Sequence, residues 1–302
     1  MSTEYTHQIV DIGWEGDNPK NLKPYVKIRS LISRDSAPTK LYPGHLFNWQ
    51  ISEDKYCPGD LRELCPFDNK IDYKYERCPY CEKKIGFKAA FLFGAEPNER
   101  MKEHLAQEHY IYLAYFPPDI IKVGTAAGSR KLIRLIEQDA LLAMFIAKNT
   151  GFNIQHLEHA ISSSLGITEM VKSRQKYQFI KYTVDKDKAR PMIISNWQRV
   201  NDRFKDSEYK DWLLEVEPTS DIIDLTVVPT LLVPEIGSEI VRVRRPDIVT
   251  GEFLGLRGKF LLLRKEENIL ALKISSLLGR KLVATSEVLE YDLPKQEQLG
   301  LF

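Results

Sequence analysis

The pattern of apolar and polar positions changes texture several times along the chain. Residues 7 to 50 carry short alternating runs, "HQIVDIGW", "YVKIRSLIS" and "TKLYPGHLFNWQI", broken by Asn, Pro, Lys and Asp. Alternation of this kind predicts half-buried strands. The next stretch is rich in Pro, Lys and Asp and shows little periodicity. From His109 the runs "HYIYLAYF" and "IIKVGTA", on either side of a Pro-Pro-Asp turn, predict two strands. A helix is expected over 130–149, where Leu132, Leu135, Ile136, Leu142, Ala143 and Ile146 form a broad apolar face. A second helix over 153–165 ends near Gly166, and residues 172–217 predict one or two more. Beyond Pro218 the runs "DIIDLTVVPTLLVP", "SEIVRVRRP" and "GEFLGLRGKFLLLRKEENILALKI" return to strands, with "KEEN" placed to close a hairpin.

These elements make an α+β protein. The expected order is an N-terminal β segment (1–50), a cysteine-bearing module (51–105), an α/β core (106–217), a C-terminal β domain (218–285) and a tail (286–302). The N- and C-terminal strands are candidates for pairing with each other.

Composition narrows the function classes. The chain has 302 residues, 43% hydrophobic and 28% charged, with a net charge of +1, so it has the makeup of a globular protein and not of a polycation. Contact with nucleic acid therefore has to be focused in local patches such as "RVRRP". The start "MSTEYTHQIVDIGWEGD" lacks the basic and apolar regions of a signal peptide, and no run approaches the roughly 18 apolar residues of a membrane span. A cytoplasmic protein with no membrane partner is expected.

All four cysteines fall in one segment, spaced Cys57-x7-Cys65-x12-Cys78-x2-Cys81. In "CPYC" successive backbone amides can reach the first thiolate, and four sulfurs satisfy tetrahedral zinc. A segment this poor in apolar residues needs such a clamp to hold one shape. A closed four-thiolate site leaves no coordination position open, so its role is structural. The competing readings are an iron–sulfur or redox site, or cysteines buried for unrelated reasons. His104 or His109 is an alternative ligand, or simply an ordinary histidine.

The segment "HYIYLAYFPPDIIKVGTAAGSRKLIRLIEQDALLAMFIA" resembles a widespread family known only as a domain of unknown function. In that family a cysteine-rich stretch precedes an H-x-V-Y-L-A strand, a K-V-G strand and an R-W-I-D/E-Q-G/D-A helix. The counterparts here are His109 to Ala114, Lys122 to Gly124 and Arg134 to Ala140. The likeness covers residues 57–200, and less closely "GEFLGLRGKFLLL".

That core is in turn similar to the GIY-YIG nuclease fold, which implies a Mg²⁺-dependent endonuclease acting on DNA in repair or replication. By position, the resemblance assigns Tyr112 to the first tyrosine and Lys122-Val123-Gly124 to the second tripeptide. Arg130 or Arg134 becomes the phosphate-binding guanidinium, and Glu158 in "QHLEHAI" the Mg²⁺-binding carboxylate. Phosphodiester hydrolysis needs these types: an activated water, a cation on the phosphate oxygens and a metal at the leaving alkoxide. Lys122 departs from the tyrosine usual there, and at an ordinary pKa of about 10.4 it would be protonated and unable to act as base. That leaves Tyr112 or His109. As bland alternatives, Tyr112 is a core aromatic, Glu158 a solvated charge, and Arg134 a helix-surface partner of Glu137 or Gln138.

Two further stretches bear on partners. "EMVKSRQKYQFIKYTVDKDKARP" interleaves Lys172, Arg174, Lys176 and Lys181 with Tyr177 and other rings, a pattern suited to nucleic acid, although a solvated helix with core aromatics looks the same. The tail "QEQLGLF" matches a sliding-clamp-binding peptide, read either as Gln298-Leu299-x-Leu301-Phe302 or, from Gln296, as the Gln-x-x-Leu-x-x-Phe form of the PIP box. Each buried apolar side chain there is worth about 1.5–3 kcal/mol, and ordering the tail takes part of it back. Phe302 folding onto its own domain is the alternative. The readings for function are thus a clamp-associated endonuclease, a non-catalytic DNA or clamp adaptor, and a zinc-bearing RNA-binding protein.

Overall fold

A computed structural model of the chain describes residues 4–60, 63–85, 97–180, 182, 184–228, 231, 239–244 and 246–285, without the side chains of residues 173 and 174. In chain order the first elements are β1 (His7–Glu15), β2 (Lys23–Ser30), β3 (Ser36–Lys40), β4 (Leu46–Tyr56), β5 (Lys70–Ile71), α1 (Pro79–Ile85) and α2 (Glu99–Ala106). There follow β6 (Glu108–Phe116), β7 (Ile120–Ala127), α3 (Lys131–Glu137), β8 (Leu142–Thr150), α4 (Gly151–Leu165), α5 (Ser173–Phe179), α6 (Lys186–Phe204) and β9 (Ile223–Asp224). The last are β10 (Glu239–Val243), β11 (Ile248–Arg257), β12 (Phe260–Lys265), β13 (Asn268–Lys273), α7 (Ile274–Leu277) and β14 (Arg280–Ala284). Helices and strands mix as an α+β protein. None of the described helices is long and apolar enough to cross a membrane.

The chain divides into two compact units. One takes β1–β5, α1, β10–β14 and α7; the other takes α2–α6 and β6–β9. In the first, a single sheet runs β10-β13-β12-β11-β4-β14-β1-β2-β3, with β5 on β4. β4 lies antiparallel between β11 and β14, so an N-terminal strand is the central partner of two C-terminal ones. The "KEEN" turn closes the β12–β13 hairpin, with Lys265 opposite Asn268 and Glu266 at φ 54°.

In the second unit four antiparallel strands run β7-β6-β8-β9. Alternation along β6 sends Ile111, Leu113 and Tyr115 into a core shared with Ile154, Leu157 and Ile161 of α4 and Ala189, Ile193 and Val200 of α6. The intervening residues Tyr110, Tyr112 and Ala114 face the other way. The loop after α4 returns to the edge of β7, where the Val123 amide donates to Thr168 O at 3.0 Å and Lys122 bridges Thr168 in parallel.

The helix expected over 130–149 is a seven-residue helix followed by a strand. α3 stops because Asp139 adopts a left-handed φ of 66°. The Asp139 amide then donates to Ile136 O at 2.9 Å and the Ala140 amide to Leu135 O at 3.1 Å, the bond pattern of a Schellman stop. The apolar run after it, Leu142 to Ala147, opens β8, buried except at half-buried Phe145 and lying between β6 and β9. An apolar run buried on both faces has no period to separate strand from helix. The helix expected over 153–165 is α4, closed by Gly166 at φ 69° with its amide on Ser162 O.

Candidate functional site: a four-cysteine centre and a buried ionisable cluster

The first unit gathers Cys57, Cys65, Cys78 and Cys81, all buried, with their sulfurs within 4.8 Å of one another. The Cys65 and Cys78 Sγ atoms are 3.8 Å apart, the edge length of a tetrahedron with arms of about 2.3 Å. The Cys78 amide donates to Cys57 Sγ at 3.3 Å. Burial pushes the Cys57 thiol up to about 11 and Cys81 upward too. Burial also pushes Cys78 upward, but the Cys81 amide, the Asn69 side chain and neighbouring sulfurs outweigh it and bring Cys78 down to about 6. The Cys57 and Cys81 thiols, held this high, ionise only in exchange for a cation, which is the chemistry of a bound metal. His104 and His109 belong to the other unit and are not part of this set.

Buried cations brace the centre. An Arg29 guanidinium N–H donates to Pro58 O at 3.0 Å, next to Cys57. The Lys55 ammonium donates to Tyr75 O at 2.6 Å and Ser275 O at 3.0 Å, tying the cysteine-bearing loop to the C-terminal part of its unit. Four thiolates around a divalent ion carry two surplus negative charges, so a nearby guanidinium is favourable there.

The second unit holds a different cluster at the edge of its sheet. Tyr112 on β6 lies opposite Gly124 on β7, and Ala114 opposite Lys122. Tyr112 and Lys122 therefore point to the same face, where the Lys122 ammonium donates to the Tyr112 hydroxyl at 3.4 Å. Gly124 is required by this approach: a Cβ there would fall on the Tyr112 ring and hydroxyl. Arg134 on α3 and Glu158 on α4 lie close enough to act electrostatically on the Tyr112 hydroxyl, and Glu158 interacts with the Thr125 side chain.

The electrostatics of the cluster follow from burial. Lys122 is only 6% exposed, and desolvation, then repulsion by Arg134, brings its pKa down to about 8 against the pull of Glu158 and Glu169. Glu158 is half-buried; desolvation, then repulsion by Glu169, raises it to about 7. Tyr112 is fully buried, and desolvation pushes it up to about 12. An amine and a carboxyl that both titrate near neutrality, around one phenol, form a perturbed site and not a surface ion pair.

Arg130 lies apart, exposed and paired with Glu137 at 2.8 Å. His109 is one residue out of phase with Tyr110 and so faces away; it packs on the start of α4, where it requires Gly151, and contacts Gln107 O at 3.0 Å and His104 Nε2 at 3.3 Å. Of the basic and aromatic segment, Lys172 is exposed, Tyr177 is half-buried and Lys176 is buried. The Lys176 ammonium donates to Gln138 O at 2.7 Å and Gln138 Oε1 at 2.9 Å, so its charge serves the interior. Lys181, the Arg174 side chain and the tail residues Gln296, Gln298, Leu299, Leu301 and Phe302 lie outside the described residues.

Sequence reasoning missed Glu169, Thr125, Lys131 and Phe145. Glu169 and Thr125 gave no motif. Phe145 was hidden by the helix expected across it, although a run as rich in apolar residues as "LLAMFIA" fits a buried strand equally well.

Fold and sites together define an α+β protein with a four-cysteine centre able to hold a structural metal ion such as zinc and, separately, a buried ionisable cluster. Residues 78–279 match a family described as proteins of unknown function, DUF2797, and the chain belongs to that family. No curated protein and no solved structure matches it.

Proposed function

We propose that this is a zinc-stabilised, Mg²⁺-dependent DNA endonuclease of GIY-YIG type, brought to its substrate by a sliding clamp. The observation that carries the reading is the convergence of Lys122, Arg134 and Glu158 around Tyr112, drawn from two strands and two helices. The strand order, with a tyrosine strand paired to an edge strand and helices supplying arginine and glutamate, supports the GIY-YIG likeness.

The donor set suits Mg²⁺, which is ordinarily held by one or two carboxylates and keeps several waters. Glu158, repelled by Glu169, gains from a divalent cation beside it. Bound there, Mg²⁺ supplies the Lewis acid that stabilises the leaving alkoxide. Arg134, exposed at its outer side, clamps the phosphate oxygens. Lys122 takes the proton of the attacking water. The sequence-based objection to a lysine base is removed by its burial: at a pKa of about 8, about a quarter of it is neutral at pH 7.5. Tyr112, at about 12, remains a phenol and orients the amine. His109 faces away and takes no part.

Zinc at Cys57, Cys65, Cys78 and Cys81 holds the first unit's loop in shape. The clamp assignment rests on the Gln-Leu-x-Leu-Phe motif alone. The test is incubation of nicked and branched DNA with Mg²⁺. Wild type cuts and Glu158→Ala does not; binding without cutting by the wild type leaves the adaptor reading in its place.

A further inference from the structure

Beside the ionisable cluster, the same sheet face carries a row of rings. Tyr110 and Tyr112 are two residues apart on β6 and share that face, and Phe145 on β8 opposes Tyr112 in register. The Phe145 ring lies edge-on to both, with centroids 5.5 Å from Tyr110 and 6.5 Å from Tyr112. Tyr112 closes the row at the buried end, beside Lys122. Phe145 and Tyr110 continue it outward and are half-buried.

α3 lays cations along this row. The Lys131 ammonium is 4.4 Å from the Tyr110 ring centroid and 5.4 Å from that of Phe145. Three residues on, and therefore on the same side of the helix, Arg134 reaches Tyr112. Among the described residues neither Lys131 nor Arg134 is within salt-bridge distance of a carboxylate, although Glu108, which accepts the Tyr110 hydroxyl and pairs with Lys148 at 3.4 Å, attracts Lys131, and Glu158 attracts Arg134. Half-covered rings under cations, leading to a phosphate-clamping arginine, offer two things at once. Rings accept an unstacked base, and cations accept the backbone that links one base to the next.

We propose that Tyr110, Phe145 and Lys131 form a track for an unpaired nucleic-acid strand entering the cluster, so that the substrate is single-stranded or locally opened at the point of attack. This rests on the phosphodiester reading of the cluster and deepens it. A base stacks on the Phe145–Tyr110 pair as Lys131 leaves the rings for a phosphate, and the next phosphate meets Arg134. A closed duplex presents phosphates and groove edges but keeps its base faces stacked inside, so it gains nothing from the rings. An acidic peptide would likewise use the cations and leave the rings idle. The basic segment at 172–182 is a poorer track because Lys176 is spent on Gln138.

The test is fluorescence anisotropy with full-length Glu158→Gln protein and no added Mg²⁺, so that binding is read without cutting. The probes are oligo-dT, oligo-rU and a closed duplex of equal length. Phe145→Ala is expected to weaken oligo-dT binding about 5- to 10-fold, the low end for loss of one base–ring stack because the ring is only half exposed, with duplex affinity unchanged. Lys131→Met should lower the slope of log affinity against log salt by about 0.7 on oligo-dT. Tyr110→Leu, at the outer end of the row, covers the case in which Phe145→Ala fails to fold. Similar losses on oligo-rU support the same chemistry. Unchanged oligo-dT binding in Phe145→Ala and Tyr110→Leu, or an equal loss on duplex, overturns the track. A wild type that shows ring-dependent strand binding but never cuts overturns the nuclease reading and not this one.

Discussion

The glycine of the Lys-Val-Gly strand gives a sharp test of how the cluster is built. Replacing Gly124 by Ala puts a Cβ on Tyr112 Cζ and Oη and 2.9 Å from Cε2, where real Cβ atoms are essentially never found. The struck atoms belong to a rigid ring with no exposed surface, flanked by Phe145 and by Lys122. Relief therefore requires moving the ring or the β6–β7 pair. Overpacking of this kind costs about 1–3 kcal/mol. Displacing the hydroxyl from Lys122 places the cost toward the upper end. Urea denaturation of Gly124→Ala, Tyr112→Ala and the double variant measures it. Tyr112→Ala alone is expected to cost about 3–5 kcal/mol, as buried aromatic truncations do. The double variant should cost no more than Tyr112→Ala within about 0.5 kcal/mol, because the ring that the new methyl would strike is gone. Gly124→Ala within about 0.5 kcal/mol of wild type, or two losses that simply add, would refute the close approach.

Other predictions concern charge, metal and address. The folded pKa of Glu158 is raised from 4.5 to about 7, so the folded state binds the extra proton and this group's contribution to stability falls as pH rises through that window. Glu158→Gln should accordingly gain about 1–3 kcal/mol relative to wild type between pH 4.5 and 8 in paired urea titrations, and an equal difference at both pH values would contradict the burial. Lys122 is lowered from 10.5 to about 8, so the cost of burying its charge is present below pH 8 and is relieved as pH rises from there to 10.5. Lys122→Met should thus stabilise the protein at pH 7 more than at pH 10. Purified protein should carry one zinc by elemental analysis, and Cys81→Ser should lose both the metal and the thermal transition of the first unit; full stability without metal would remove the structural role. Deleting residues 296–302 should abolish retention on an immobilised sliding clamp, and unchanged retention would dispose of the clamp proposal.

Where a sequence signal is local, it was readable. The strands of 7–50 and 109–127 alternate, Gly166 marks the end of α4 because only a left-handed residue can close it there, and four cysteines in one short segment have little to do but meet. Where a tertiary decision prevailed, the sequence misled. Asp139 ends α3 in a conformation more typical of glycine, so the stop carried no glycine to announce it, and a largely buried apolar strand read as the rest of a helix. Lys176 looked like part of a nucleic-acid surface, yet the fold turns it onto Gln138. The depressed pKa of Lys122 could not be read at all, since it comes from burial and from Arg134 and not from the residue type.

The measurement that bears most directly on the catalytic claim is the pH dependence of single-turnover DNA cleavage with saturating Mg²⁺, in wild type and Lys122→Met. A base titrating near 8 must be neutral to work, so the wild-type rate should climb about tenfold per pH unit below pH 8 and level off above it. Lys122→Met should be slower by about 100-fold or more, with that limb gone. Cleavage that keeps the same limb and rate without Lys122, or wild-type protein that never cuts at any pH, would contradict the account.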